Sequence, residues 1–71
     1  MYIVIEIQKN NEGIISTLIT IHDTKNKAEN KYYTILAYAA VSTLPLHGAV
    51  MLHEDGYSIK HECFVHELEN N

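Results

Sequence analysis

The sequence predicts an α+β two-layer sandwich in the order β-β-α-β-β, a four-stranded antiparallel sheet with one helix across one face. Two pairs of β-rich segments are each joined by a short polar stretch containing glycine, the signature of a hairpin. Between the pairs lies one segment whose apolar residues recur with helical period. The lone proline, Pro45, separates that segment from the second pair.

The first strand is expected over about 2–8, where Ile3, Ile5 and Ile7 share one face and Val4, Glu6 and Gln8 the other. Lys9 to Gly13 is polar, and its Asn and Gly residues tolerate positive φ, so a turn leads into a second strand over about 14–22. Pairing Gln8 with Ile14 sets Ile7 against Ile15, Ile5 against Thr17 and Ile3 against Ile19. This isoleucine face is the expected core face.

Asp23 and Thr24 are both good N-caps, and the period changes from 2 to 3.6 after them, so a helix is expected over about 24–43. Ala28, Tyr32, Ile35, Leu36, Ala39 and Thr43 form its main stripe. Tyr33, Ala37, Ala40 and Val41 form a second apolar strip beside the first, with Tyr38 on the far side. Pro45 disfavours helical geometry at Leu44 and ends the element.

The last two strands are expected over about 46–53 and 57–66, turning at Asp55-Gly56. Leu52 then pairs with Ile59, Val50 with His61, Gly48 with Cys63 and Leu46 with Val65 on one face. Met51 with Lys60, Ala49 with Glu62 and His47 with Phe64 occupy the other. Glu67 to Asn71 are expected to fray. Residues 1–71 read as a single domain, close to the size at which a core alone barely offsets chain entropy.

Charge and composition narrow the function. The formal net charge is −4, with five Lys and Arg together against nine acidic residues, so no basic footprint for nucleic acid exists. Met1 leads directly into YIVIEIQ, and no run approaches the length of a membrane span, which predicts a soluble, cytoplasmic protein. One cysteine permits no internal disulfide.

The stretch HECFVHE gathers His61, Cys63 and His66, three soft metal-ligand types. In a strand, residues two apart share a face and residues three apart do not, so His61 and Cys63 point together and His66 points away. No intrachain metal site and no cofactor are expected; a metal is conceivable only if these residues meet across a subunit interface. The alternative is a Cys63 packed as a small hydrophobe opposite Gly48 beneath the helix. An enzyme is disfavoured, since a strand in an open sandwich offers no cleft for a nucleophile and base.

The face expected to lie opposite the helix carries Val4, Leu18, Met51 and Phe64 among charged residues, greasier than a free sheet face ordinarily is. With Ala37 and Val41 of the second helix strip, these are the candidate interface residues of a homodimer or higher symmetric oligomer. Tyr33, Tyr38, His47, Lys60 and Phe64 are the candidate ligand contacts, aromatic rings for a base and cations for phosphate.

The segments YIVIEIQ, NKAENKY, AYAAVST, PLHGAVM and EDGYSIKHECFVHE, which together run through almost the whole chain, resemble a family of very short, uncharacterised proteins of bacteria, bacteriophages and prophages. The resemblance transfers no activity. It implies a small cytoplasmic accessory protein of mobile-element origin; by analogy with small oligomeric phage proteins, the expected role is to sequester a nucleotide-type signal or bind a host factor. The alternative expectation is a structural or metal-responsive module with its His and Cys residues shared between chains.

Overall fold

The computed structural model describes residues 1–66, and the expectation for 67–71 lies outside the described residues. The elements are β1 (Tyr2–Lys9), β2 (Ile15–His22), α1 (Lys25–Ala40), β3 (Leu46–His53) and β4 (Ser58–Val65). They form one antiparallel sheet in the order β2-β1-β3-β4, with α1 on one face, so the β-β-α-β-β α+β architecture is the one observed.

The two hairpins use the same turn. In each, a glycine in the left-handed region (Gly13, φ 83°; Gly56, φ 92°) donates its N–H three residues back, to Asn10 O and His53 O respectively. The pair is closed by Asn10 N–H to Ile14 O at 3.0 Å and His53 N–H to Tyr57 O at 2.8 Å. This is the three-residue hairpin loop ending in a left-handed residue, and it requires glycine there because a Cβ would crowd the following carbonyl. Asn10 Oδ1 accepts from the N–H of Glu12 and Ile14, and Asp55 Oδ1 from that of Tyr57.

That turn changes the expected registers. In the first hairpin the pairing lies two residues from the expected one: Gln8 faces Ser16, Ile5 faces Ile19 and Ile3 faces Ile21. A shift of two keeps every side chain on its face. The second hairpin keeps the expected pairs from Leu46–Val65 to Met51–Lys60, but Leu52 faces Ser58, with a bulge between Met51 and Leu52. Ile59 is the extra residue, and it packs against the core.

The helix begins where its cap predicts: Thr24 is extended and its Oγ1 accepts the Lys27 N–H at 3.2 Å. It ends at Ala40, three residues short of the expected end. Val41 N–H and Ser42 N–H turn back to Tyr38 O and Ala39 O, and Ser42 Oγ accepts from Leu44 N–H, a local bond that competes with the helical ladder. His66 Nε2 donates to Ala39 O at 2.8 Å, so the end of β4 ties down a helix-terminal carbonyl.

The largest correction is the identity of the core face. The helix packs on the side of Val4, Ala49 and Met51, not on the isoleucine side. Val4 and Met51 are 0% exposed and join Ala28, Tyr32, Ile35 and Ala49 in one cluster, flanked by Tyr2, Leu36 and Ile59. Val4 and Met51 are therefore core residues and cannot be interface residues. The physical reason is fit. The helix presents Ala28 and Ala39 to the sheet, and these small residues allow close approach to Ala49 and Val4 where an isoleucine ridge would hold the layers apart.

Candidate functional site

Because the helix takes the Val4 side, the other sheet face lies open. It carries Ile3, Ile5 and Ile7 of β1, Ile15, Ile19 and Ile21 of β2, Leu46, Val50 and Leu52 of β3, and Val65 of β4. Of the strand residues on this face, only Lys9, at one end of β1, bears a Lys, Asp or Glu charge. Sequence reasoning assigned this surface to the core. One available signal was that β1 and β3 carry apolar residues on both faces while a single helix can cover only one.

Over the β3–β4 half of the open face is a depression of about 270 Å³, lined by Ile7, Leu46, Gly48, Val50, His61 and Cys63 among others. Its floor exists because position 48 has no side chain. A Cβ on Gly48 would stand 2.5 Å from Glu62 O and 2.8 Å from Cys63 Cα, so the β3–β4 ladder itself demands glycine. Cys63 is opposite Gly48, as the pairing predicts, but it is exposed on the open face and not packed beneath the helix.

The two faces of HECFVHE are thus the reverse of the expected ones. His61 and Cys63 point to the open side, whereas Phe64 and His66 lie on the helix side, their rings stacked 6.3 Å apart. His66 is engaged with Ala39 O, so it cannot join His61 and Cys63 on an ion. Among the described residues no three His, Cys, Asp or Glu side chains converge to hold a metal.

His47, a candidate ligand contact, is buried under the helix. Its Nε2 donates to Glu6 Oε2 at 2.7 Å, and Gln8 Nε2 donates to the same oxygen at 3.0 Å. His47 Nδ1 is buried with no hydrogen-bond partner. These bonds let polar residues of the two central strands lie under a helix: Glu6 Oε2 takes both donors, and His47 Nδ1 alone is left without a partner.

Of the other candidate contacts, only Tyr33 and Lys60 meet. Lys60 Nζ donates to Tyr33 Oη at 3.0 Å, lies 5.4 Å from that ring's centroid and 3.6 Å from Glu29 Oε2. The hydrogen bond with Tyr33 is the main cause that raises the Lys60 pKa above its ordinary value. Beside them, Tyr32 has its pKa pushed up by burial, with the Glu62 charge adding. Tyr38 and Ala37 on the helix and Val41 at its C-cap are exposed, and Phe64 is half-buried on the helix side of β4. Leu18 is on the helix side of the sheet too, yet remains 56% exposed, because α1 leaves most of β2 uncovered.

No helix among the described residues is long and apolar enough to cross a membrane. No family model matches the chain, no curated protein matches it, and no solved structure matches it.

Proposed function

We propose that this chain is a non-catalytic binding protein that works as a symmetric homo-oligomer, with the open face of its sheet buried against a second copy. The observation that carries the reading is the run of aliphatic side chains across four strands with one charge at its margin. Exposed apolar surfaces of this extent mark interaction sites. Strands of eight residues in a four-stranded sheet span roughly 26 by 19 Å, so a face-to-face pair covers about 1,000 Å², the threshold of a specific interface. A second copy also suits the charge: a chain of net −4 repels itself least through an almost uncharged surface. The need is equally physical, since three of the seven buried hydrophobic residues are alanines.

Sedimentation tests the reading. Wild-type protein is expected to assemble, and Ile5→Lys, a charge in the middle of the open face, is expected to halve the assembly's mass with the fold retained. Wild-type protein sedimenting as a single chain at high micromolar concentration refutes it. The narrower reading, an accessory protein of phages or prophages that sequesters a nucleotide-type signal or a host factor, draws its support from the family resemblance. Only Tyr33 and Lys60 of its contact set stand together, and Glu29 and Glu62 lie beside them. Absence of any thermal shift with a panel of cyclic nucleotides removes the nucleotide version.

The metal-responsive alternative is favoured by one observation, that His61 and Cys63 share the open face. Two copies would offer two imidazoles and two thiolates, a donor set that suits zinc. Elemental analysis of untagged protein decides it, with no stoichiometric metal ending the idea.

A further inference from the structure

Among the described residues the sheet has two free edges, and they are built differently. Strand β4 carries Lys60, His61 and Glu62, is bulged at Ile59, and has Lys60 tied back to Tyr33 and Glu29. These are the devices that blunt an edge against pairing. Strand β2 has none of them. From Ile15 to Ile21 it holds no charge, no proline, no glycine and no bulge, and it pairs with β1 through all eight residues without interruption. It is also bare on both faces, with Leu18 56%, Ile19 58% and Ile21 67% exposed. An uncharged, regular, aliphatic edge of this length is a template for another strand.

The direction of its hydrogen-bonding groups follows from the turn. Asn10 N–H bonds Ile14 O, and antiparallel bonding alternates, so the even-numbered residues of β2 exchange bonds with β1. The N–H and C=O groups of Ile15, Thr17, Ile19 and Ile21 therefore point to the free edge. A strand that takes all four of these residues must be centred on Leu18.

We propose that the occupant of this edge is β2 of a second copy, running antiparallel about a two-fold axis through Leu18 and joining two sheets into one of eight strands. The sequence around Leu18 is self-complementary in that register. Ile15 faces Ile21, Ser16 faces Thr20, Thr17 faces Ile19 and Leu18 faces Leu18. Aliphatic and β-branched residues meet their like, the hydroxyl pair can hydrogen-bond, and no charge opposes a like charge, which a two-fold axis would otherwise impose on a chain of net −4.

This contact rests on a different surface from the open face and does not require it. The edge axis stands perpendicular to the sheet, whereas the axis of a face-to-face pair lies parallel to it. Together the two contacts close at four chains, two eight-stranded sheets packed inside with the helices outside.

Cross-linking tests the register. At the axis the two Leu18 residues form a non-hydrogen-bonded pair, with Cα atoms about 4.5 Å apart, inside disulfide range. Leu18→Cys in a Cys63→Ser background is expected to give a disulfide-linked dimer under mild oxidation. Ser16→Cys in the same background lies opposite Thr20, roughly 13 Å from its own copy, and is expected to link at least about ten-fold more slowly. Equal rates at the two positions overturn the proposal.

Native mass spectrometry separates this contact from the face. Four chains are expected for wild type, two for Leu18→Lys, and two for Ile5→Lys. Thr17→Pro, whose lost N–H points outward and serves no bond to β1, is expected to act as Leu18→Lys does, with an unchanged circular dichroism spectrum. If Leu18→Lys and Thr17→Pro leave the wild-type mass intact while Ile5→Lys lowers it, the edge contact is refuted and the face contact stands. If wild type is a dimer that Leu18→Lys alone dissociates, the edge stands and the face reading falls.

Discussion

Replacing Gly48 by alanine tests whether β3 and β4 are held together as tightly as the ladder implies. The added Cβ would lie 2.5 Å from Glu62 O, 2.8 Å from Cys63 Cα and 3.0 Å from Cys63 Cβ, against an ordinary contact that begins at 3.4 Å. Two of these three atoms are backbone, so no flexible side chain can swing aside. Strand β3 is hydrogen-bonded to β1 on its other side, and moving it from β4 strains that ladder as well. Overpacking a fitted interior costs about 1–3 kcal/mol, and a clash with paired backbone belongs at the upper end, about 2–3 kcal/mol. For a domain of this size each kcal/mol shifts the melting temperature by about 4–8 °C, so a fall of roughly 10–20 °C is expected. Thermal circular dichroism reads it directly. Gly56→Ala supplies the comparison, since its φ of 92° is unfavourable for alanine but its surroundings are empty. A left-handed alanine costs about 1–2 kcal/mol. A Gly48→Ala protein that melts within a few degrees of wild type, or no lower than Gly56→Ala, refutes the close-approach argument.

Thr24→Ala removes the side chain that accepts the Lys27 N–H and is expected to cost about 1 kcal/mol in urea denaturation, with Thr24→Ser retaining most of it. Tyr33→Phe deletes the partner that raises the Lys60 pKa, so the Lys60 titration followed by NMR should move down toward the ordinary lysine value. A raised folded pKa means that this contribution to stability is complete below the unfolded pKa and is lost as pH rises through the folded one, so Tyr33→Phe should flatten the alkaline limb. Asp55 has the opposite sign. The Tyr57 N–H holds its carboxyl below the usual range, so its contribution is present above the unfolded pKa and disappears as pH falls through the folded one. Asp55→Asn keeps an oxygen for Tyr57 but not the charge, so it is expected to lower stability slightly near neutral pH and to remove that part of the acid loss.

How much of this could be read in advance depends on which physical signal each feature leaves. The element order was legible because alternation along Ile3 to Gln8, a change of period after Thr24, and glycines between strands are local patterns. Registers were legible to within two residues in the first hairpin and one bulge in the second, since turn geometry is set by one left-handed glycine whose φ a sequence only suggests. The core face was not legible from alternation. Both sides of β1 carry apolar residues, and the greasier side was the natural choice. What decides it is non-local: the alanines of α1 fit Val4, Ala49 and Met51, and on that side Gln8 and His47 both hydrogen-bond Glu6. Every candidate that depended on the face moved with it. Val4, Met51 and His47 went inside, Cys63 and His61 went outside, and the isoleucines became the surface to test.

The reach of the helix has a kinetic side. Strand β2 is joined to the rest by one ladder and is half-covered only at Thr20 and His22, while β1 and β3 are each held by two ladders and packed under α1. In an isolated chain, opening should therefore begin at β2, and its amides that bond β1 should exchange with solvent well ahead of those between β1 and β3. A strand that leaves its own β1 uncovers a matching edge, which β2 from another chain can occupy at no enthalpic loss. Protection of β2 should then rise with protein concentration, making this strand the reporter of crowding for the whole molecule.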